Sequence, residues 1–375
     1  SALAVPAYGG IPVTHRDCCS SLHIVTGHQR AGKELDIDFD ALVATRGTLV
    51  FLMGVSALPQ ICEGLLKAGM DPNTPAAIVE RGTTPAQRRI SATLSTLAQA
   101  AQDHQVVSPA ISVVGGVCAL ADSFDWFDAL PLKGRTFVVT RPAARKGTLA
   151  QGLRELGAKV WEYPCIRTTP ITPCPPLTAA LERLEAYQWI AFTSPVGVGV
   201  FFDALHAQGK DSRALAGVKL AAIGPGTAAA LKKYGLTADY VPAVYSAQDL
   251  GQGIPATEKV LLPRAQEGSP LLTQALTERG ISYEELAVYT THYDNPRSPE
   301  LREALEAGEL SYVTFTSAST VKGFVASVGE DAPLDNITGL CIGHQTAQEA
   351  QRHGIPVLIA EEATIPGLLR LAQTL

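Results

Sequence analysis

Six short polar segments of this chain carry residues that could hold a negatively charged ligand. They are Thr140-Arg141-Pro142, Thr193-Ser194-Pro195, Gly224-Pro225-Gly226-Thr227, Pro263-Arg264-Ala265-Gln266, Ser317-Ala318-Ser319-Thr320 and Gly343-His344-Gln345-Thr346. Each stands where an apolar, strand-like run gives way to a helical pattern. Ser194 is placed to cap a helix with Pro195 at its first position, and Ser317 does the same before Ala318. The two glycine segments open helices whose first N–H groups lack partners within the helix, and carboxylates or phosphates bind at such ends. Arg141 and Arg264 could each fork onto a carboxylate. Ser, Thr and Gly at these junctions are also ordinary capping residues. The ligand reading rests on the recurrence of six such segments. GPGT alone is no nucleotide fingerprint: no GxGxxG follows the first strand and no GxxxxGK[ST] occurs.

Conventional catalytic groups are sparse. No spacing suits a metal cluster, no GxSxG elbow is present, and His292, His344 and His353 are scattered. Tyr289 is the candidate proton donor, because it falls where the chain is expected to cross between two lobes. A packed linker aromatic is the other reading of that position. The seven cysteines are an odd, dispersed count with Cys18 and Cys19 adjacent and no CxxC pair, which reads as reduced thiols.

The elements that must position these residues follow from patterning. With 375 residues, 46% hydrophobic and 18% charged, the chain can bury two or three cores and is not disordered. A net charge of −6 argues against non-specific nucleic-acid binding. No apolar run is long enough to span a membrane and no signal peptide is visible, so a cytoplasmic location is expected. Thr48–Met53, Ala76–Val79 and Ala110–Val114 read as strands, and the segment from Pro85 to about Ala101 reads as a helix. A boundary is expected near Leu130–Gly134. Beyond it βα alternation continues to the end, implying parallel sheets. Ile190–Ser194 (IAFTS) is echoed by Val313–Ser317 (VTFTS), and Ala221–Thr227 (AAIGPGT) by Leu340–Thr346 (LCIGHQT). Each copy is expected to end in a strand and a new helix start, at Tyr245-Ser246-Ala247 and at Ala363–Pro366. The second copy lacks an opening βα unit, and Thr136–Gly157 supplies one. The fold expected is α/β: two doubly wound parallel-sheet lobes, one (134–166 plus 295–375) interrupted by the other (171–288), preceded by an α/β segment over 1–130. Linkers then cross near Ile166–Pro173 and Tyr289–Asp294.

These residues resemble uroporphyrinogen-III synthase over 134–375. The carriers are TRP (140–142), FTS before a Val-rich helix (192–198), AAIGPGTAAAL (221–231), LLPRA (261–265), VYTT (288–291), FTSAS (315–319) and IGHQTA (342–347). The resemblance implies cyclisation of hydroxymethylbilane, a linear tetrapyrrole with eight carboxylates, to uroporphyrinogen III, with no cofactor and no metal. It implies that Tyr289 assists loss of the substrate hydroxyl. The expected substrate contacts are Thr140, Arg141, Thr193, Ser194, Gly224, Thr227, Arg264, Ser317, Ala318, Gly343 and Thr346.

Residues 1–128 resemble the C-terminal half of uroporphyrinogen-III C-methyltransferase. The carriers are PAYGGIPVTHR (6–16), TGH (26–28), LMG (52–54), TPAAIVERGTTPAQR (74–88) and the WF at 126–127. This implies an S-adenosylmethionine site formed with Met53, Ala77, Gly82 and Ala110, and a tetrapyrrole near Thr14 and Arg16. The family's GxGPG loop, acidic catalytic residue and GGD motif are absent from these residues. A fusion that cyclises but does not methylate unless the other half is supplied is therefore expected. The family's methyltransferases pair as dimers, so this segment could form a homodimer. Two rival readings are a non-catalytic two-lobed ligand-binding protein and a synthase half that only scaffolds the methyltransferase.

Overall fold

The computed structural model describes residues 1–27, 35–141, 148–293 and 298–375. His28 of the TGH motif, Pro142 of the TRP motif and Asp294 of the second expected linker lie outside the described residues. Contacts divide the chain into two compact units, Ser1–Arg135 with Leu153–Lys159, and Thr136–Gly152 with Val160–Leu375.

The first unit holds strands β1 (Leu22–Thr26), β2 (Thr48–Leu52), β3 (Pro75–Glu80), β4 (Arg88–Thr93) and β5 (Ala110–Val114) in the order β1-β2-β5-β3-β4. β1 runs parallel to β2, while β2–β5, β5–β3 and β3–β4 are antiparallel. The expected helix from Pro85 is corrected: Arg88–Thr93 is a strand, and the helix is confined to Leu97–Asp103. The short motif Arg-Arg-Ile-Ser-Ala-Thr buries Ile90 between exposed Arg88 and exposed Ser91, and pairing with β3 decides the conformation over local propensity. Val50, Ala77, Val79 and Val113 pack on one face of this sheet, and Leu49, Phe51, Ile78 and Val114 on the other.

The second unit contains two sheets. One has β6 (Thr136–Val139) and β7 (Lys159–Glu162) together with β13 (Tyr312–Phe315), β14 (Thr338–Cys341) and β15 (Val357–Ile359), ordered β15-β14-β13-β6-β7. The other has β8 (Ile166–Pro170), β9 (Trp189–Phe192), β10 (Lys219–Ala222), β11 (Val260–Ala265) and β12 (Tyr283–Tyr293), ordered β10-β9-β11-β12-β8. Buried helices cover both faces of the β9–β12 sheet. Phe201, Phe202, Leu205 and Leu231 lie on one side, and Leu250, Leu272 and Leu276 on the other. The fold is α/β and doubly wound, as expected.

The repeat is visible in the register. Phe192 pairs with Ala222 as Phe315 pairs with Cys341. Phe192 meets Phe201 edge-on at 5.4 Å, and Phe315 meets Phe324 at 5.7 Å. Leu261 of β11 lies beside Ile190, and Val138 of β6 lies beside Val313, the repeat partner of Ile190. Three residues further along the chain stand Arg264, within β11, and Arg141, two residues past β6, so the two arginine segments are equivalent. The lobes are thus the same sheet in permuted chain order: β6 and β7 come first in one lobe, and their counterparts β11 and β12 come last in the other.

Two expectations are corrected. The β9 lobe does not end in a strand near Tyr245. Only Tyr240 bridges to Ala221 there, whereas β15 is a full strand in the other lobe. Its sheet is also not purely parallel. The two linkers pair with each other, Tyr289–Tyr293 running antiparallel to Pro170–Ile166.

Candidate functional site

Side-chain caps fix the helix starts. Ser194 Oγ accepts the Gly197 N–H at 3.0 Å, opening the helix Pro195–Ala207. Ser317 Oγ accepts the Thr320 N–H at 3.3 Å, opening Ala318–Val328. There the Thr320 hydroxyl closes a capping box, accepting the Ser317 N–H at 3.2 Å and donating to the Ser317 carbonyl at 2.7 Å. Gly224 and Gly343 open the helices Pro225–Lys232 and His344–Arg352 in extended backbone, with no side-chain cap. At the first of these Pro225 has no N–H to offer and the Thr227 N–H meets the Gly224 carbonyl at 3.1 Å, so the Gly226 N–H is the first without a partner inside the helix. Thr227 and Thr346 are buried one turn inside. Thr193 and Ala318 are half-buried beside the capping serines.

Tyr289 occupies the point where β12 changes partner. It is paired with Ala265 at the end of the parallel ladder and with Pro170 at the start of the antiparallel one. The register slips by one residue between Arg264 and Ala265, so Val288 is an extra residue on β12. Strict alternation would put Tyr289 on the face of exposed Glu285 and Ala287. The bulge instead buries Val288 and Tyr289 together, leaving Tyr289 only 7% exposed. Its hydroxyl lies 2.9 Å from Ser194 Oγ.

Two expected substrate contacts are committed elsewhere. Arg264 is buried, its Nε donates to Glu285 at 2.7 Å and its Nη1 to the Ser269 carbonyl at 2.9 Å. It closes its own loop rather than presenting a fork to a ligand. Thr140 is fully buried and donates to the Thr314 carbonyl at 2.7 Å, tying β6 to β13 just before the Ser317 segment. Arg141 is half-buried at the end of β6. Sequence reasoning missed two residues that shape the site. Glu285 has no motif, and Gly197 looks like any helix glycine, yet a Cβ there would sit 2.9 Å from the Pro263 carbonyl oxygen.

In the first unit, Met53, Gly82 and Ala110 line an open cavity of about 1290 Å³, together with Ser1, Arg81, Thr83 and Pro109. Met53, Arg81 and Thr83 all hold left-handed backbone, φ 54°, 49° and 66°, a strain that concentrates at ligand clamps. Ala77 is not part of this cavity. It is fully buried on β3 among Val50, Val79 and Val113. Thr14 and Arg16 are exposed in the loop before β1 and do not line the cavity.

The two permuted lobes, with helix starts at corresponding strand ends and a buried tyrosine at the linker crossing, define a two-lobed α/β class. Residues 147–370 match the family model described as uroporphyrinogen-III synthase HemD, and residues 1–98 match tetrapyrrole (corrin/porphyrin) methylases. The porphyrin biosynthesis protein HemD of Ruminiclostridium josui is 45% identical over 98% of this chain and 74% of its own length. An S-adenosyl-L-methionine-dependent uroporphyrinogen III methyltransferase of Methanosarcina barkeri is 47% identical over 32% of this chain and 48% of its own. The chain thus spans about three quarters of the first relative and about half of the second. A mutant uroporphyrinogen III synthase from Thermus thermophilus shares the fold at 24% identity and a TM-score of 0.51, over 64% of this chain and 98% of that one. The chain belongs to the uroporphyrinogen-III synthase family and carries a tetrapyrrole methylase segment before it, which places it in tetrapyrrole biosynthesis.

Proposed function

We propose that the second unit cyclises hydroxymethylbilane to uroporphyrinogen III, with inversion of ring D and loss of water. The observation that carries this is the buried Tyr289 at the linker crossing, its hydroxyl 2.9 Å from Ser194 Oγ at a helix start. The helix starts at Ser194, Gly224, Ser317 and Gly343 take the substrate carboxylates through backbone N–H groups and the helix dipole. Thr193, Thr227, Ala318 and Thr346 shape those starts, and Arg141 adds charge at the end of β6. Held this way, the two ends of the linear substrate are brought together, and proximity supplies much of the rate. Tyr289 donates its proton to the departing hydroxyl, and the azafulvene so formed is attacked by ring D through a spiro intermediate. Mixing the chain with hydroxymethylbilane, oxidising and separating isomers by chromatography tests this. Type III product is expected. Type I alone, the spontaneous product, would sink the proposal.

In the first unit, Met53, Gly82 and Ala110 fit S-adenosylmethionine in the size and backbone strain of their cavity. The group supplies a methyl when bound. The GxGPG and GGD segments that complete such a site are not among these residues. No transfer of labelled methyl by this chain alone is expected, and incorporation of label into the product would overturn that.

A further inference from the structure

The two capped helix starts are equivalent by repeat but are finished differently. At Ser317 the residue three positions on is Thr320, whose hydroxyl closes the box on the Ser317 backbone. At Ser194 the corresponding residue is Gly197, which has no side chain to offer and no space for one beneath the Pro263 carbonyl. Tyr289 Oη instead lies 2.9 Å from Ser194 Oγ. A serine hydroxyl has one proton and two lone pairs. The Gly197 N–H is a fixed donor, so it occupies one lone pair of Ser194 whatever else happens. Either hydroxyl of the Ser194–Tyr289 pair could donate to the other at rest. The charge that develops on the tyrosine oxygen as it gives up its proton selects one direction.

We propose that Ser194 is a positioning residue for Tyr289, donating its hydroxyl proton to Tyr289 Oη so that the phenol proton is directed to the leaving hydroxyl of the substrate. The inference rests on the cyclisation proposed above. The phenol O–H bond breaks and its proton joins the substrate hydroxyl. The C–O bond breaks, water departs, and the pyrrole carries the positive charge as an azafulvenium. The electron pair left on Tyr289 Oη is held by the Ser194 O–H, itself polarised by the Gly197 N–H at the helix N-terminus. The proton released on ring closure restores the phenol.

The test compares Ser194→Gly, Ser194→Thr, Tyr289→Phe and the double variant Ser194→Gly/Tyr289→Phe. Glycine caps a helix nearly as well as serine, so Ser194→Gly removes the hydroxyl with little loss of the cap. It is expected to lower kcat about 10- to 100-fold with KM unchanged, and Ser194→Thr to restore most of it. The double variant is expected to be no slower than Tyr289→Phe, because the serine acts only through the tyrosine. Ser269→Ala, which removes a side-chain cap elsewhere in the same lobe, is expected to lower the thermal midpoint and leave kcat alone. A raised KM with normal kcat would make Ser194 a substrate ligand instead. Normal kcat with a lowered thermal midpoint would make it a cap alone. Additive losses in the double variant would also overturn the proposal. If Ser194→Gly does not fold, Ser194→Ala, which keeps a Cβ and offers no donor, gives the same comparison, with Ser269→Ala as the control for the lost cap. Type I product from the unmutated chain removes the cyclisation reading itself, whereas type III product with an unaffected Ser194→Gly removes only this inference.

Discussion

Burial alone makes a phenol a weaker acid, and donors that hold its oxygen offset this by favouring the phenolate. Tyr289 is buried, and its hydroxyl is within hydrogen-bond reach of a serine at a helix N-terminus. Tyr289→Phe keeps the ring in its core and removes the proton. A fall in kcat of about 100-fold or more is expected, with an unchanged far-UV circular dichroism spectrum. Near-normal turnover would take Tyr289 out of the mechanism. The cysteines invite a second measurement. Burial pushes the thiol of Cys62 up to about 11 and those of Cys118, Cys165 and Cys341 up to about 12. Cys18, Cys19 and Cys174 are half-buried. A thiol reagent at pH 8 is expected to label only residues from the second set until the chain is unfolded, read by peptide mass. Tyr289 was legible as a candidate because VYTT sits at the expected lobe crossing. Its pairing with Ser194 was not, because that depends on a bulge at Val288 which no periodicity announces. Arg264 and Arg141 look alike in sequence. Only the fold reveals that Glu285, one strand away, has taken Arg264 out of reach of a ligand.

Among the elements, the paired linkers are the parts that must hold Tyr289 still. The helix Ala318–Val328 packs against them so closely that a Cβ on Gly323 would lie 2.6 Å from the Cys165 carbonyl oxygen and 2.8 Å from the Ile166 side chain. Gly323→Ala is therefore expected to destabilise the fold by about 1–3 kcal/mol, seen as a lower denaturant midpoint, because backbone rather than a flexible tip must move. An unchanged midpoint would show that the linker yields freely. Strands with buried, β-branched runs such as Thr136–Val139 could be read directly. Arg88–Thr93 could not, because six residues of mixed polarity become a strand only by pairing with β3. The antiparallel pairing of the two linkers was equally hidden, since their partners lie far apart in the chain.

At the scale of the whole molecule, buried acids make stability depend on alkali. Besides the four thiols, Tyr187 is pushed up to about 12, first by burial and then by its hydrogen bond to Glu284. In the unfolded chain these thiols and this phenol ionise near their ordinary values of 9.0 and 10.0. The folded chain keeps them protonated. Their contribution is full below about pH 9 and is lost as pH rises toward 12. Urea midpoints measured from pH 8 to 11 are expected to fall, and replacing Cys118 and Cys341 with Ala should flatten the slope. A slope untouched by those replacements would place the alkaline loss elsewhere.

The permuted order of the two lobes also sets a timetable for the chain as it leaves the ribosome. Strands β9 to β12 emerge together and can close their sheet at once. β6 and β7 emerge earlier, yet β13, which pairs with the other edge of β6, begins only at Tyr312. At 5–20 residues per second, β6 waits roughly ten to thirty seconds with an open edge. Such an edge pairs readily with strangers. Nascent chains stalled once β12 has cleared the ribosome should thus resist protease across β9–β12 and be cut near β6, and an early block against aggregation would be needed there rather than at the end of synthesis.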